Sequence, residues 1–220
     1  MYQAVIFDLD GTLLNTIDDL AAAGNHTLQT LGLPQHTVAE YMGFVGDGIP
    51  MLIRRMVPQP PQEAVVQQAA AEFDRYYAAH KEDATAPYPG IVALLQALAA
   101  HGIRTAVLSN KKHAMTAPIA AHYFPGLFCV VQGLEDGMPA KPDPTGVRRV
   151  LAKLQVPERQ VLYVGDSDTD MRTAAAAGLD SCGVLWGFRS REVLLKGGAR
   201  HLCRTAEELL TLILSGPTAL

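Results

Sequence analysis

Two aspartates near the start of the chain, Asp8 and Asp10, have the types and spacing that could do chemistry. They follow the apolar run 5–7 and come just before Gly11. The run predicts a strand buried on both faces, in which Asp8 and Asp10 point the same way. Two such carboxylates require a cation, a shared proton or a catalytic role: one could attack a tetrahedral group while the other protonates what leaves. A solvated Asx-turn that closes the strand is the alternative at this point.

Two further stretches carry polar groups after an apolar run or in a stiff loop. Ser109 and Asn110 follow a predicted strand, where a hydroxyl and a backbone N–H could hold one phosphoryl oxygen. Capping of the next helix explains both residues more simply. Lys141 is flanked by prolines in the segment 140–144, which would present its ammonium from a rigid, extended loop. A solvated loop lysine is the alternative.

A fourth stretch runs from a predicted buried strand through Gly165 into an acidic helix start. It contains Asp166, Asp168 and Asp170 within five residues. Capping and the helix dipole explain one or two of these charges. They do not require three, so this stretch also indicates a functional cluster.

The hydrophobic periodicity predicts two structural regions. Helices are expected at about 17–31, 37–43, 48–56 and 62–81, with no strand between residues 14 and 84. Residues 15–85 are therefore predicted to form a separate helical domain. From Gly90 onwards, strands at about 103–108, 128–132, 161–164, 181–185 and 200–203 alternate with helices at about 90–101, 112–122, 145–154, 169–177, 190–196 and 206–214.

This alternation predicts an α/β domain with a doubly wound, parallel, Rossmann-like sheet, built from residues 1–14 and 86–220. Ligands bind such sheets beyond the carboxyl ends of the strands. Asp8, Ser109, the loop after residue 132 and Asp166 all fall at those ends. We therefore expect them to lie at one edge of the sheet.

Together these stretches resemble the four motifs of the haloacid dehalogenase (HAD) superfamily of phosphohydrolases. The first motif is matched by the segment 8–12, the second by Ser109, the third by Lys141, and the fourth by Asp166 with Asp170. Dehalogenases of the superfamily generally lack the second aspartate of the first motif, because a halide leaving group needs no proton. The presence of Asp10 therefore implies a phosphatase or phosphomutase.

The resemblance also implies a role for each matched side chain. Asp8 is expected to be the nucleophile and Asp10 the general acid and base. Ser109, Asn110 and Lys141 are expected to bind the phosphoryl group, and Lys141 is also expected to be catalytic. Lys111 and Lys112 lie nearer to Ser109, but we expect them in a helix start and therefore favour Lys141.

A magnesium site is implied at the same place, since Mg²⁺ prefers carboxylate and carbonyl oxygens. The expected ligands are the Asp8 carboxylate, the Asp10 backbone carbonyl and the Asp166 carboxylate. Asp170 is expected to bind the metal or to support its ligands. Asp168 is then left as a helix cap or a surface residue.

The predicted helical domain corresponds to the family's small cap, hinged at about 14–17 and 83–89 and closing over the site. Its glycine-rich segment 43–48 is either an interhelical turn or an anion receptor at a helix N-terminus. This segment, followed by Arg54 and Arg55, resembles the cap of phosphoglycolate phosphatases. The resemblance implies a small carboxylated substrate, and the candidate specificity residues are Gly46, Asp47, Gly48 and Arg54. At most one of the two arginines is expected to face the cleft.

The bulk composition restricts the partners and the compartment. A net charge of −4, a pI of about 5.9 and the absence of a Lys/Arg cluster argue against nucleic acid. No apolar stretch approaches a membrane span, and no signal peptide is recognised. Cys129, Cys182 and Cys203 are widely spaced and predict reduced thiols. We expect a cytoplasmic enzyme, monomeric or homodimeric, with a small phosphorylated metabolite as its partner.

The expected function is a Mg²⁺-dependent phosphomonoesterase that works through an aspartyl phosphate, with 2-phosphoglycolate as the best match. Phosphatases of sugar phosphates, nucleotides or pyrophosphate, and β-phosphoglucomutase-like mutases, share the core motifs and differ in the cap. A phospho-acceptor signalling module also pairs a strand-end aspartate with magnesium. The helical insertion and Asp10 argue against it, because such a module need not protonate a leaving group.

Overall fold

The computed structural model describes residues 1–217, and the chain forms two compact units. One unit combines Met1–Leu14 with the chain from Pro87 onwards, and the other is Asn15–Ala86. The strands are β1 (Ala4–Phe7), β2 (Leu14–Asn15), β3 (Ala86–Pro87), β4 (Arg104–Lys112), β5 (Val130–Leu134), β6 (Val161–Gly165), β7 (Asp180–Val184) and β8 (His201–Cys203).

Each of the two units has its own set of helices. The second unit contains α1 (Ile17–Thr30), α2 (Val38–Phe44), α3 (Ile49–Met56) and α4 (Glu63–His80). The first contains α5 (Ile91–Ala100), α6 (His113–Tyr123), α7 (Thr145–Leu154), a 3₁₀ turn (Glu158–Gln160), α8 (Asp168–Ala176), α9 (Arg191–Gly197) and α10 (Ala206–Ser215).

The first unit is organised around a six-stranded parallel sheet in the order β5-β4-β1-β6-β7-β8. Alternate residues of β1 belong to two apolar clusters: Val5 and Phe7 to one, Ala4 and Ile6 to the other. Helices cover both faces of a sheet of this kind, which is why β1 is an unbroken apolar run. The predicted α/β class with a doubly wound parallel sheet is confirmed.

The strand order brings three strand ends together. After β1 the chain builds β4 and β5 on one side of it and then returns to β6 on the other side. The carboxyl ends of β4, β1 and β6 therefore lie side by side. In open α/β sheets the crevice at such a reversal is where ligands bind.

Two local features differ from the sequence-based expectation. β4 continues to Lys112, so Ser109 and Asn110 lie inside a strand and do not cap a helix. The reason is long-range pairing: after a register shift, Lys112 pairs with Leu134 of β5. The two-residue strands β2 and β3 form a small separate sheet that was not predicted, because two residues carry no periodicity.

Asp19 stabilises the helical unit in a way that a first-turn charge alone would not. Its carboxylate is 3% exposed. It accepts hydrogen bonds from Ala84 N at 2.8 Å, Thr85 N at 2.8 Å and Thr85 Oγ1 at 2.6 Å. The first turn of α1 therefore holds the end of the same unit, some sixty-five residues later in the chain.

Replacing Asp19 with alanine should remove this acceptor from Ala84 N and Thr85 N, whereas Thr85 Oγ1 keeps Lys81 O as an acceptor at 3.1 Å. Buried donors without partners cost roughly 1–3 kcal/mol each, so we expect a loss of about 2–4 kcal/mol in the free energy of unfolding. Urea denaturation measures it, with the exposed neighbour Asp18→Ala as the matched control. Equal stability of the two variants would show that the Asp19 contacts contribute nothing.

Candidate active site

Three buried carboxylates meet at the carboxyl ends of the central strands. Asp8 follows β1, and its backbone N–H donates to Val164 O at 2.9 Å, which continues the sheet by one residue. Asp166 follows β6, and Asp170 lies in the first turn of α8. Carboxylate oxygens of Asp8, Asp166 and Asp170 lie within 4.8 Å of one another. The fold thus gathers residues from the first and fourth motifs.

Lys141 supplies the positive charge of this cluster. Its Nζ lies 2.9 Å from Asp8 Oδ1 and 2.7 Å from Asp170 Oδ1, and it donates to Leu108 O at 3.3 Å. Burial alone would lower the pKa of Lys141, but the two carboxylates raise it well above its usual range. The side chain is therefore a permanent ammonium that fixes Asp8 and Asp170 on either side of it.

Asn110 and Ser109 join β4 to this cluster. Asn110 Oδ1 accepts from Lys141 N at 2.8 Å, and Asn110 Nδ2 donates to Lys141 O at 3.3 Å. The Asn110 side chain thus holds the Lys141 backbone, and the expected contact of Asn110 with phosphate stays a prediction. Ser109 Oγ is buried and accepts from Lys111 N at 3.1 Å, which leaves the hydroxyl proton available to a phosphoryl oxygen.

Asp170 has hydrogen-bond donors on both of its oxygens. Lys141 Nζ and Tyr163 OH contact Oδ1, the hydroxyl at 3.2 Å. Ser167 N and Ser167 Oγ contact Oδ2 at 3.1 and 2.5 Å. With four donors on a fully buried carboxylate, a supporting role suits Asp170 better than direct metal ligation.

The helix cap at this position is Ser167, which corrects the suggestion that Asp168 caps α8. Ser167 has extended backbone, and its Oγ accepts from Asp170 N at 3.2 Å in a reciprocal capping box. Asp168 is partly exposed and pairs with Arg172 at 2.6 Å. The second alternative for Asp168, a surface residue, describes it correctly.

The cluster carries more negative than positive charge. Burial and the Asp170 carboxylate raise the pKa of Asp8 well above its usual range, against the opposing effect of Lys141. Burial and Asp170 also raise the pKa of Asp166, to about 7. Three buried carboxylates around one ammonium fit a hard divalent cation that would neutralise the remaining charge.

Asp10 is paired with a lysine that was not expected to be part of the site. Lys111 Nζ lies 2.9 Å from Asp10 Oδ1, and only 3% of the Lys111 side chain is exposed. The expectation that Lys111 lies in a helix start is wrong, because β4 runs past it to Lys112. The site therefore contains two buried lysines, each on a different aspartate of the first motif.

The loop that follows β7 packs around Asp166. No sequence motif had predicted that this loop belongs to the site. Phe188 N donates to Asp166 Oδ2 at 2.8 Å, and Thr12 Oγ1 donates to Asp166 Oδ1 at 3.2 Å. Trp186 Nε1 donates to Thr12 O at 3.0 Å, which links the two donors. This loop and the first motif together fix the orientation of the Asp166 carboxylate.

Gly187 lies so close to Asp166 that any side chain there must displace it. An added Cβ would stand 2.2 Å from Asp166 Cβ and 2.5 Å from Gly11 O. If Asp166 is a metal ligand, as the sequence predicts, replacing Gly187 with alanine should weaken Mg²⁺ binding by about 10–100-fold, because it would reorient that ligand. Calorimetric titration with Mg²⁺ measures this. Gly43→Ala, where a Cβ meets open space, is the control, and equal affinity in both variants would contradict the prediction.

The predicted specificity segment lies in the helical unit. Gly46 and Gly48 have φ of 120° and 85°, and Gly48 is the N-cap of α3. Arg55 forms an ion pair with Asp47 and donates to Phe44 O at 2.9 Å. Arg54 is instead paired with Glu63 at 2.8 Å. Arg55 is thus the arginine next to the segment, and the specificity roles of Gly46, Asp47, Gly48 and Arg54 stay predictions.

Comparison with known proteins agrees with this geometry. Residues 5–184 match the sequence model of the family described as haloacid dehalogenase-like hydrolase. The chain belongs to the haloacid dehalogenase-like hydrolase family. No helix within residues 1–217 of this HAD-family chain has the length and apolar character needed to cross a membrane.

Similar proteins carry related names. A phosphoglycolate phosphatase of Cereibacter sphaeroides is 37% identical over 196 residues, covering 86% of this chain and 88% of its own. A plasmid-encoded phosphoglycolate phosphatase of Cupriavidus necator is 34% identical over 96% of this chain and 92% of its own. The crystal structure of a provisionally named phosphoglycolate phosphatase from Lactobacillus delbrueckii subsp. bulgaricus superimposes with a TM-score of 0.92. It is 32% identical and covers 96% of this chain and 98% of its own.

Proposed function

We propose that this protein is a magnesium-dependent phosphomonoesterase acting on a small phosphorylated metabolite, with 2-phosphoglycolate as the first candidate. The observation that carries the proposal is Lys141, whose ammonium bridges Asp8 and Asp170 beside Asp166. This arrangement is suited to a phosphoryl group with one carboxylate ready to attack it. The relatives named phosphoglycolate phosphatase support the choice of substrate.

The first half of the reaction transfers the phosphoryl group to the protein. A carboxylate oxygen of Asp8 forms a bond to phosphorus as the bond between phosphorus and the ester oxygen breaks. Asp10 gives its proton to the departing oxygen, which leaves as the alcohol. The Lys141 ammonium and the Ser109 hydroxyl stabilise charge on the phosphoryl oxygens, since phosphoryl transfer depends mainly on positioning and electrostatics.

The second half releases phosphate. Asp10, now ionised, takes a proton from water as the water oxygen attacks the phosphorus of the aspartyl phosphate. The bond between phosphorus and Asp8 breaks, and Asp8 returns to its carboxylate form. Lys141 remains hydrogen-bonded to Asp170 throughout, so the ammonium stays at the same place for both attacks.

The residues that would hold magnesium are the Asp8 carboxylate, the Asp10 backbone carbonyl and the Asp166 carboxylate, with Asp170 supporting Lys141 and Ser167. Magnesium, when bound, supplies positive charge that neutralises the phosphoryl oxygens and these carboxylates. Burial, and after it the Asp170 carboxylate, raise the pKa of Asp8 well above its usual range and that of Asp166 to about 7, so a cation at this place would favour the ionised form of both.

Removal of divalent metal should abolish phosphatase activity, and added Mg²⁺ should restore it. The reason is that Lys141 alone cannot balance three buried carboxylates and a phosphate dianion. Phosphate release after exhaustive chelation and dialysis measures the loss. Phosphate release is then measured again after Mg²⁺ or Ca²⁺ is added back to the metal-free protein. Undiminished turnover without metal would contradict the magnesium assignment of Asp8 and Asp166.

A panel of phosphorylated metabolites tests the proposed function itself. We expect the highest kcat/KM for 2-phosphoglycolate, ahead of hexose phosphates, nucleoside monophosphates, pyrophosphate and β-glucose 1-phosphate. A preference for a sugar phosphate or nucleotide would overturn the substrate and leave the phosphomonoesterase in place. Failure to release phosphate from any ester, with stable labelling of the protein, would instead indicate a phospho-acceptor module.

The proposed setting is the cytoplasm, with the enzyme acting as a monomer or homodimer. The cysteines support the choice of compartment. Cys129, Cys182 and Cys203 are all free thiols, and the sulfurs of Cys182 and Cys203 lie 3.5 Å apart without a disulfide. Adjacent unlinked thiols suit a reducing compartment.

A further inference from the structure

Lys111 is a buried cation of the candidate active site that has no role in the proposed reaction steps. Only 3% of its side chain is exposed, and its ammonium contacts the Asp10 carboxylate at 2.9 Å. An ammonium is costly to bury without a partner. Asp10 is the partially exposed member of the pair, with 16% of its side chain accessible. The pair is therefore accessible to solvent mainly through Asp10.

The position of Lys111 relative to Asp10 defines which part of a substrate it would meet. A general acid must approach within about 3 Å of the oxygen that it protonates. With Asp10 as the general acid, Lys111 would lie beside the leaving group, whereas Lys141, which contacts Asp8, would lie beside the phosphoryl group. Lys141 would thus contact the phosphoryl group of a substrate, and Lys111 its leaving group.

A carboxylate placed one carbon away from the ester oxygen would fall next to Lys111. Phosphate esters of 2-hydroxy acids have this arrangement, and 2-phosphoglycolate is the smallest of them. Once Asp10 has given its proton to the leaving group it is ionised, and without Lys111 the carboxylate of the departing alcohol would lie beside it as a like charge. A lysine ammonium is compact and has three N–H donors, so it can hold Asp10 and a second carboxylate together.

We propose that Lys111 is the carboxylate-binding residue that selects phosphate esters of 2-hydroxy acids. The inference rests on the proposed function and names a substrate-binding residue for the same site. It places charge recognition in the α/β unit, beside the acid that protonates the leaving group. A neutral ester of the same length gains nothing from Lys111, and an ester with a cationic tail is repelled by it.

The test compares two esters that differ only in this group: 2-phosphoglycolate, and 2-hydroxyethyl phosphate, which has a neutral hydroxymethyl group in place of the carboxylate. The quantity measured is the ratio of their kcat/KM values in wild type and Lys111→Met. We expect the ratio to fall by about 10–100-fold, the range of a charge-assisted hydrogen bond. Lys111→Arg keeps the charge and should keep most of the ratio.

Lys112→Met is the matched control, because Lys112 is the next residue and is exposed. It should keep the wild-type ratio. Thermal unfolding reports whether each variant is folded. If Lys111→Met does not fold, Lys111→Gln keeps a polar side chain beside Asp10 and is expected to show the same fall.

The outcomes separate this inference from the proposed function. Equal losses for both esters in Lys111→Met would mean that Lys111 only positions Asp10, which overturns the inference. A wild-type preference for phosphoglycolate that survives Lys111→Met would move carboxylate recognition elsewhere and leave the proposed substrate intact. No wild-type preference between the two esters would overturn both the substrate and the carboxylate role of Lys111.

Discussion

Replacing Asp8 with asparagine is expected to lower kcat/KM at least about 10⁴-fold for every phosphate ester, as loss of a nucleophile does in other covalent catalysts. An amide has nearly the shape of a carboxylate but is a poor nucleophile. Lys141 would keep its contact with Asp170, so the surrounding arrangement should survive. Phosphate release from an alkyl and an aryl ester measures the loss.

Stability measurements separate this loss from misfolding. Burial and Asp170 raise the pKa of Asp8, so its ionised form opposes folding at neutral pH. Asp8→Asn should therefore unfold at the same or a higher temperature than wild type. Asp168→Asn makes the same substitution at a partly exposed carboxylate and should retain activity. Substantial turnover by Asp8→Asn would remove Asp8 from its role as nucleophile.

Replacing Asp10 with asparagine is expected to cost about 10²–10⁴-fold in kcat/KM for an alkyl ester, the usual contribution of a general acid and base. Its backbone carbonyl is unchanged, so Mg²⁺ affinity should change little. An aryl phosphate has a leaving group that needs no proton. In Asp10→Asn, transfer of the phosphoryl group from an aryl ester to Asp8 should therefore be slowed less than the later hydrolysis of the aspartyl phosphate. With p-nitrophenyl phosphate as substrate, this difference should appear as an initial burst of nitrophenol.

The absence of this burst would contradict the role assigned to Asp10. Equal losses for aryl and alkyl esters, with no burst and no trapped phosphoenzyme, would mean that Asp10 is not the acid and base. Lys111→Arg is the control for this experiment, because it keeps both Asp10 and a positive charge beside it. That variant should hydrolyse its phosphoenzyme without the delay expected for Asp10→Asn.

The sequence was sufficient to predict the residues that lie at strand ends. Asp8 and Asp166 each follow a short apolar run that predicts a buried strand, and parallel strands end at one edge of a sheet. Lys141 was predicted by its resemblance to a motif and by the stiff loop around it. These features are local in the chain, so the sequence carries them directly.

The features that were not predicted depend on pairing between distant segments. Lys111 faces Asp10 because β4 continues past Ser109, and that continuation is set by the pairing of Lys112 with Leu134. Gly187 contacts Asp166 because β7 lies next to β6 in the sheet. Neither relation has a signal in the local pattern of apolar residues.

The central claim is that Asp8 becomes an aspartyl phosphate, and peptide mapping of the quenched enzyme tests it most directly. Wild type and Asp10→Asn are mixed with Mg²⁺ and p-nitrophenyl phosphate, quenched in acid during turnover and digested with pepsin for mass spectrometry. We predict one added phosphoryl group on the peptide that contains Asp8, more abundant in Asp10→Asn and absent once the substrate is exhausted. Steady turnover with no phosphorylated peptide, or with the phosphoryl group on another residue, would contradict the claim.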